Sequence, residues 1–120
     1  MSEKLALNDI AQICHEANRA LCKVLGDRVL PEWGALDNES QGITVRAVRY
    51  ILDQQPAPSL AEIHERWRMD KVMHGWTYGE VTDDAKKTHK NMTLYIDLPV
   101  EQKAKDSLFL NIVFSLEGLM

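Results

Sequence analysis

Apolar residues recur with a helical period early in the chain. Ile10, Ile13, Cys14, Ala17, Ala20, Leu21 and Val24 fall on one face, opposite His15, Arg19, Cys22 and Lys23. The spacing predicts a helix from about Ile10 to Leu25, capped by Asn8 and ended by a left-handed Gly26. A connector with Pro31 and Trp33 follows. Ile43 to Leu52 is a second helix, apolar nearly all round except for Arg46 and Arg49, the pattern of a mostly buried element. Gln54-Gln55-Pro56-Ala57-Pro58 breaks it, and Ser59 with Glu62 supplies the capping-box signature of a third. Leu60, Ile63 and Trp67 line that helix's inner face, His64 and Lys71 flank it, and Gly75 ends it.

Residues 75–98 carry no helical period. Two glycines bracket two aromatics there, and short extended pieces are expected at Thr77–Thr82 and Met92–Ile96. Pro99, placed at a first helical position, opens the last helix. Its inner face is Ala104, Leu108, Ile112 and Leu116, supported by Phe109 and Val113. Leu110 and Phe114 form a second apolar stripe, which calls for contact on both sides of the helix, from the N-terminal half or from a second copy of the chain. The fold class that follows is mainly α, a compact bundle of about four helices with an irregular or β-like segment around residues 75–98.

Composition narrows the classes without choosing a function. At 120 residues the chain is long enough for one domain with its own core, here read as residues 1–120, with 59–116 bearing the motifs and 1–58 a helical N-terminal part. The net charge of −4 argues against a long nucleic acid as partner. That acidity lies outside the motif segment. Residues 1–63 carry six basic and nine acidic side chains, whereas residues 64–108 carry eight of each, including the Lys86-Lys87-Thr88-His89-Lys90 cluster. One small phosphorylated molecule is therefore compatible with the charge pattern. Cys14 and Cys22, eight positions apart in one helix, are about 12 Å apart along its axis and too distant for a disulfide, so both are expected as reduced thiols. No secretory signal follows Met1-Ser2-Glu3-Lys4, and the longest uncharged apolar run, Ser107 to Leu116, is half of what a bilayer requires. A soluble, cytoplasmic protein without membrane contact is the expectation.

The segment richest in possible chemistry is Gly75-Trp76-Thr77-Tyr78-Gly79 followed by Asp83-Asp84 and the basic cluster. Two glycines let a tight backbone present Trp76 and Tyr78 in a fixed orientation. Such rings can stack on a planar ligand while Lys86 and His89 hold its phosphates. The plainer alternative makes the rings core anchors and the lysines a solvated rim. Arg46 and Arg49 likewise admit an anion clamp or a solubilising stripe. The four histidines and two cysteines lack the paired spacing of a metal site, no phosphate-loop glycine pattern is present, and no motif surrounds either cysteine as a nucleophile. Neither a metal nor a cofactor is expected.

His64-Glu65-Arg66-Trp67, Gly75-Trp76-Thr77-Tyr78-Gly79, Asp83-Asp84, Lys86-Lys87-Thr88-His89, Tyr95, Leu98-Pro99 and Asp106 occur in an order and spacing that resembles the RyR domain, the repeat named after ryanodine receptors. The likeness covers about residues 59–116. His89-Lys90 replaces the family's usual His-Pro, and Leu94-Tyr95 its usual Pro-Tyr, so two rigid turn residues are missing. Cys14-His15-Glu16-Ala17-Asn18-Arg19 and Trp33 resemble the leading segment of short phage-encoded members. The resemblance implies a non-enzymatic, mainly helical domain that binds a nucleotide or nucleotide-derived ligand. A free-standing chain of this kind would act as a bacterial or phage sequestering or sensing protein. It implies Trp76, Tyr78, Lys86, His89 and Tyr95 as ligand-binding residues. Arg68 and Lys71 join them by position only. The rival class is an interaction or oligomerisation module without a ligand, using Leu110 and Phe114. A final question is an internal repeat, since His15-Glu16 and His64-Glu65 each end an amphipathic run, although the first run holds an extra residue, Cys14. Two unrelated helices are the simpler reading.

Overall fold

Each helix starts and stops on local chemistry. A computed structural model describes residues 4–54 and 56–120, so Met1–Glu3 of the expected unsignalled start and Gln55 of the expected break lie outside the described residues. Helix α1 spans Leu7–Leu25. It begins before Asn8, because Asp9 reaches back and its Oδ2 accepts the backbone N–H of the cap residue Ala6 at 2.8 Å. Gly26 closes it at φ +71°, a conformation that costs a side-chain-bearing residue about 1–2 kcal/mol. Helix α2 (Asn38–Asp53) starts earlier than the apolar pattern shows, with Asp37 accepting the N–H of Ser40 at 2.7 Å. Helix α3 (Leu60–Met73) carries the reciprocal Ser59–Glu62 cap. Helix α4 (Val100–Leu116) follows Pro99, which stands at the cap position.

The segment between α3 and α4 departs from expectation. Strand β1 (Thr77–Tyr78) pairs in parallel with β2 (Thr88–His89), Thr77 opposite Thr88 and Tyr78 opposite His89. Thr77 N–H donates to the Lys87 carbonyl and Gly79 N–H to that of His89. The turn between them is set by Asp83, whose Oδ1 accepts the N–H groups of Ala85 and Lys86. Residues 92–96 are not a strand: 92–94 are irregular, and a three-residue 3-10 helix at Tyr95–Asp97 takes the rest.

The core joins α1, α2 and α4: Ile10, Ala11, Cys14, Trp33, Val48, Ile51 and Val113 are buried together. The inner face of α1 is turned from the one its apolar spacing marks. His15 and Cys22 are buried, while Val24 is 84% exposed and Ile13 40%. The connector after α1 explains this. His15 Nε2 lies 2.7 Å from the Pro31 carbonyl, Arg19 Nε donates to Leu30 O, and Glu16 accepts the N–H of Trp33. These bonds fold residues 27–35 over the side of α1 that a hydrophobic pattern leaves to solvent. Leu110 packs on the core, Ala104 is exposed, and Phe114 stays partly exposed. Helix α3 gives no residue to the buried core set; His64 is its buried residue and Ile63 packs against the core. Among the described residues no helix is long and apolar enough to cross a membrane.

The two halves follow one plan. His64 Nε2 meets the Thr93 carbonyl at 2.7 Å, as His15 meets that of Pro31, and each carbonyl lies two residues before a 3-10 helix that begins with an aromatic, Trp33 or Tyr95. Glu16–Arg19 and Glu65–Arg68 form matching i,i+3 ion pairs. Gly26 and Gly75, both at positive φ, follow at the same offset from the histidines. Aligned on His15 and His64, Cys14 matches Ile63 and no insertion is needed. The repeat is therefore structural. The second half differs by a longer excursion, residues 76–94, between its two helices.

Candidate functional site

A cavity of about 290 Å³ lies between α3 and the other three helices, with residues of all four helices in its lining. That is the lower end of small-molecule pockets, roughly 300–1,000 Å³. Matched positions of the two halves line it: Cys14 and Ile63, Asn18 and Trp67, Ile43 and Lys105, Ala47 and Phe109. The first half gives mostly small or apolar groups. The second adds polar and charged ones: His64, Arg66, Asp70, His89, Asn91, Gln102, Lys105 and Asp106.

The polar wall is a chain of hydrogen bonds. Asn91 Nδ2 donates to Gln102 Oε1, and Gln102 Nε2 donates to Asp106 Oδ1, each at 3.0 Å. Gln102 and Asp106 stand one helical turn apart on α4, so the pairing follows from the i,i+4 spacing. Asp106 Oδ2 is sealed from solvent and has no hydrogen-bond partner among the described residues. Burial pushes the Asp106 carboxyl above its ordinary range, against the opposing hydrogen bond from Gln102. An unmade bond at a buried acceptor costs about 1–3 kcal/mol.

An aromatic ladder runs past the cavity, with its three middle rings, His64, Trp67 and His89, among the lining. Tyr95 meets His64 edge-on at 6.2 Å and His64 stacks on Trp67 at 5.5 Å. Trp67 meets His89 edge-on at 4.9 Å, and His89 leads to Trp76 at 6.3 Å. The Lys71 ammonium sits 4.3 Å from the centre of the Trp76 ring, and burial lowers its pKa. His89 Nδ1 accepts the Asn91 N–H at 3.0 Å, which fixes that nitrogen as unprotonated. Burial, with the Lys71 and Lys90 charges, pulls its pKa down to about 4.

Of the expected binding residues, the ladder brings Trp76, His89, Tyr95 and Lys71 together, and His89 alone of the seven lines the cavity. Tyr78 is 55% exposed on β1, Lys86 is exposed in the turn, and Arg68 is held by both oxygens of Glu65. Arg46 and Arg49 are exposed on α2 and are not among the cavity-lining residues. Trp67, Asp106, Gln102 and Asn91 were not among the residues the sequence points to as ligand contacts. Trp67 and Asp106 both belong to the motif residues quoted above, and the i,i+4 relation of Gln102 to Asp106 is a signal for the third.

Cys14 and Cys22 are unpaired and buried, and burial raises the Cys14 thiol to about 12. No group of three or more potential metal ligands occurs among the described residues. The family model of the RyR domain matches residues 53–113, which include α3, the strand pair, the ladder and most of α4.

Proposed function

The chain belongs to the RyR domain family, and from that premise we propose that it binds a small nucleotide-derived ligand, without catalysis, in the cavity between its two halves. The observation that carries this reading is the polar wall of the cavity, where the buried Asp106 Oδ2 has no hydrogen-bond partner among the described residues, in a lining that also includes Trp67. The Cβ–Cγ torsion of an aspartate is soft and roughly two-fold, so a small rotation turns Oδ2 toward a ligand N–H or O–H. A nucleobase offers such donors and a flat face of suitable size. Cys14 supports binding over nucleophilic chemistry, because a buried thiol with so high a pKa stays protonated. Two unpaired thiols also suit a reducing, cytoplasmic setting. Sequestering or sensing of the ligand, in a bacterial or phage context, is the role in keeping with the family resemblance.

A thermal-unfolding screen against adenine and guanine nucleosides, mononucleotides and cyclic nucleotides tests the proposal. A ligand at one hundred times its Kd adds about 2.7 kcal/mol and raises Tm by several degrees. Asp106→Asn and Trp67→Ala are expected to lose most of that rise, and Tyr78→Ala and Arg68→Ala to keep it. No shift with any member of the panel at millimolar concentration refutes the proposal and favours an interaction module.

A further inference from the structure

A second cavity, also about 290 Å³, adjoins the first, and Asn91, Gln102 and Lys105 line both. Its remaining lining includes Leu25, Gly26, Asp27, Lys90 and Glu101. The two chambers therefore share a wall, and they differ in chemistry. The first has Trp67, Tyr50 and Phe109 among its lining. Its own cation, Arg66, lies over the Tyr50 ring. The second has no aromatic among the described residues of its lining and holds Lys90 and Lys105 with Asp27 between them.

Both cations converge on one carboxylate. Lys105, whose side chain is only 11% exposed, donates to Asp27 Oδ2, and Lys90 Nζ lies 3.7 Å from Asp27 Oδ1. Asp27 comes from a different part of the chain, the first residue after the left-handed Gly26. A carboxylate spanning two ammonium groups offers a negative charge and two acceptor oxygens in the manner of one edge of a phosphate, which carries a larger charge of about −1.5 to −2. Lys105 also belongs to the wall of the aromatic chamber, so an anion on it would lie next to a ring held there.

We propose that Lys90 and Lys105 form an anion subsite, that Asp27 competes for it as an internal carboxylate, and that the ligand joins a planar ring in the first chamber to a phosphate in the second. This rests on the binding reading above and adds the polarity of the ligand and the group that tunes its affinity. Glu101, an exposed residue of the same lining, adds a second negative charge that a phosphate must also meet. Replacing Asp27 by the isosteric amide removes one competing charge and keeps an acceptor for Lys105.

The test compares adenosine with AMP and guanosine with GMP by calorimetry on the wild type, Asp27→Asn and Lys90→Met. The expected result is that Asp27→Asn tightens the mononucleotide by about 3- to 10-fold at low salt, leaves the nucleoside unchanged, and steepens the salt dependence. Lys90→Met, which removes an exposed cation, weakens the mononucleotide and spares the nucleoside. If Asp27→Asn leaves the ratio of mononucleotide to nucleoside affinity unchanged or lowers it, the anion subsite is overturned while nucleoside binding to the first chamber stands. If Asp27→Asn fails to fold, Lys90→Met decides alone, and an unchanged ratio overturns the subsite. Absence of binding to every protein by all four compounds overturns the binding reading itself.

Discussion

His89 offers the sharpest test of the cavity's electrostatics. Its ring is half-buried between Trp67 and Trp76, and its Nδ1 accepts the Asn91 N–H. Protonation places a second donor against that N–H and puts a charge beside Lys71 and Lys90. Burial is the largest cause of the depression to about 4, those two lysines follow, and Asp84 opposes it. The unfolded chain titrates near 6.5. Between these values the unfolded state binds the proton and the folded state does not, so stability is full above pH 6.5 and falls as pH drops toward about 4. The shift limits the loss between pH 7.5 and 5.0 to about 2 kcal/mol, and partial access of solvent reduces it to about 1 kcal/mol. Glu16, Asp27, Asp37, Glu65 and Asp84 all lie below their ordinary values, so they stay ionised in the folded protein over most of this window. Asp106 lies above its ordinary value and works in the opposite sense, gaining stability as pH falls. A difference between wild type and His89→Asn cancels that contribution, because asparagine keeps an acceptor for Asn91 and does not titrate. Urea unfolding at pH 7.5, 6.5, 5.5 and 5.0 at constant ionic strength is the assay. The wild type should lose about 1 kcal/mol more than the variant across the series. Parallel curves for the two proteins would refute the account of His89 as a buried neutral imidazole.

Three further perturbations probe the frame that holds the site. Ile51→Ala, at a fully packed position between α2 and the other core helices, should cost roughly 2–5 kcal/mol in urea unfolding, and a loss under 1 kcal/mol would show that the core is not closed there. Gly79→Ala would set its Cβ only 2.7 Å from Cβ of Thr88, so β1 and β2 must part. A loss of about 1–3 kcal/mol is expected, substantially recovered by adding Thr88→Gly, and an unrecovered loss would place the strain elsewhere. Both thiols should resist Ellman's reagent in the native protein and react together in guanidinium chloride. Rapid native labelling of either would contradict their burial, and a single reactive thiol after unfolding would contradict two free cysteines.

What was legible in the chain depended on how far the governing interaction reaches. Ser59 with Glu62, Gly26 and Pro99 mark helix ends through contacts within a few residues, and each lies at or beside the end it marks. The rotation of α1 depends on contacts with residues 30, 31 and 33, and a histidine or arginine that turns inward to hold a distant carbonyl carries no hydrophobic signature. The same reach governs the site. The motif pointed to the segment that holds the ladder, because the ladder from Tyr95 to Trp76 is built mainly from α3 and the loops that follow it. Lys86 stood out by proximity to those aromatics in sequence, whereas Lys105, on α4 and tethered to Asp27 of the other half, lines both chambers. The repeat explains the difference. Once α1 and α3 are seen as equivalent, a cavity between their matched faces follows, and its polar lining comes mainly from the half that kept polar residues at those faces. Sequence alone withheld this because its two copies align on a histidine pair only when Cys14 is set against Ile63, a pairing that hydrophobic class permits and that the equivalent hydrogen bonds to Pro31 and Thr93 decide.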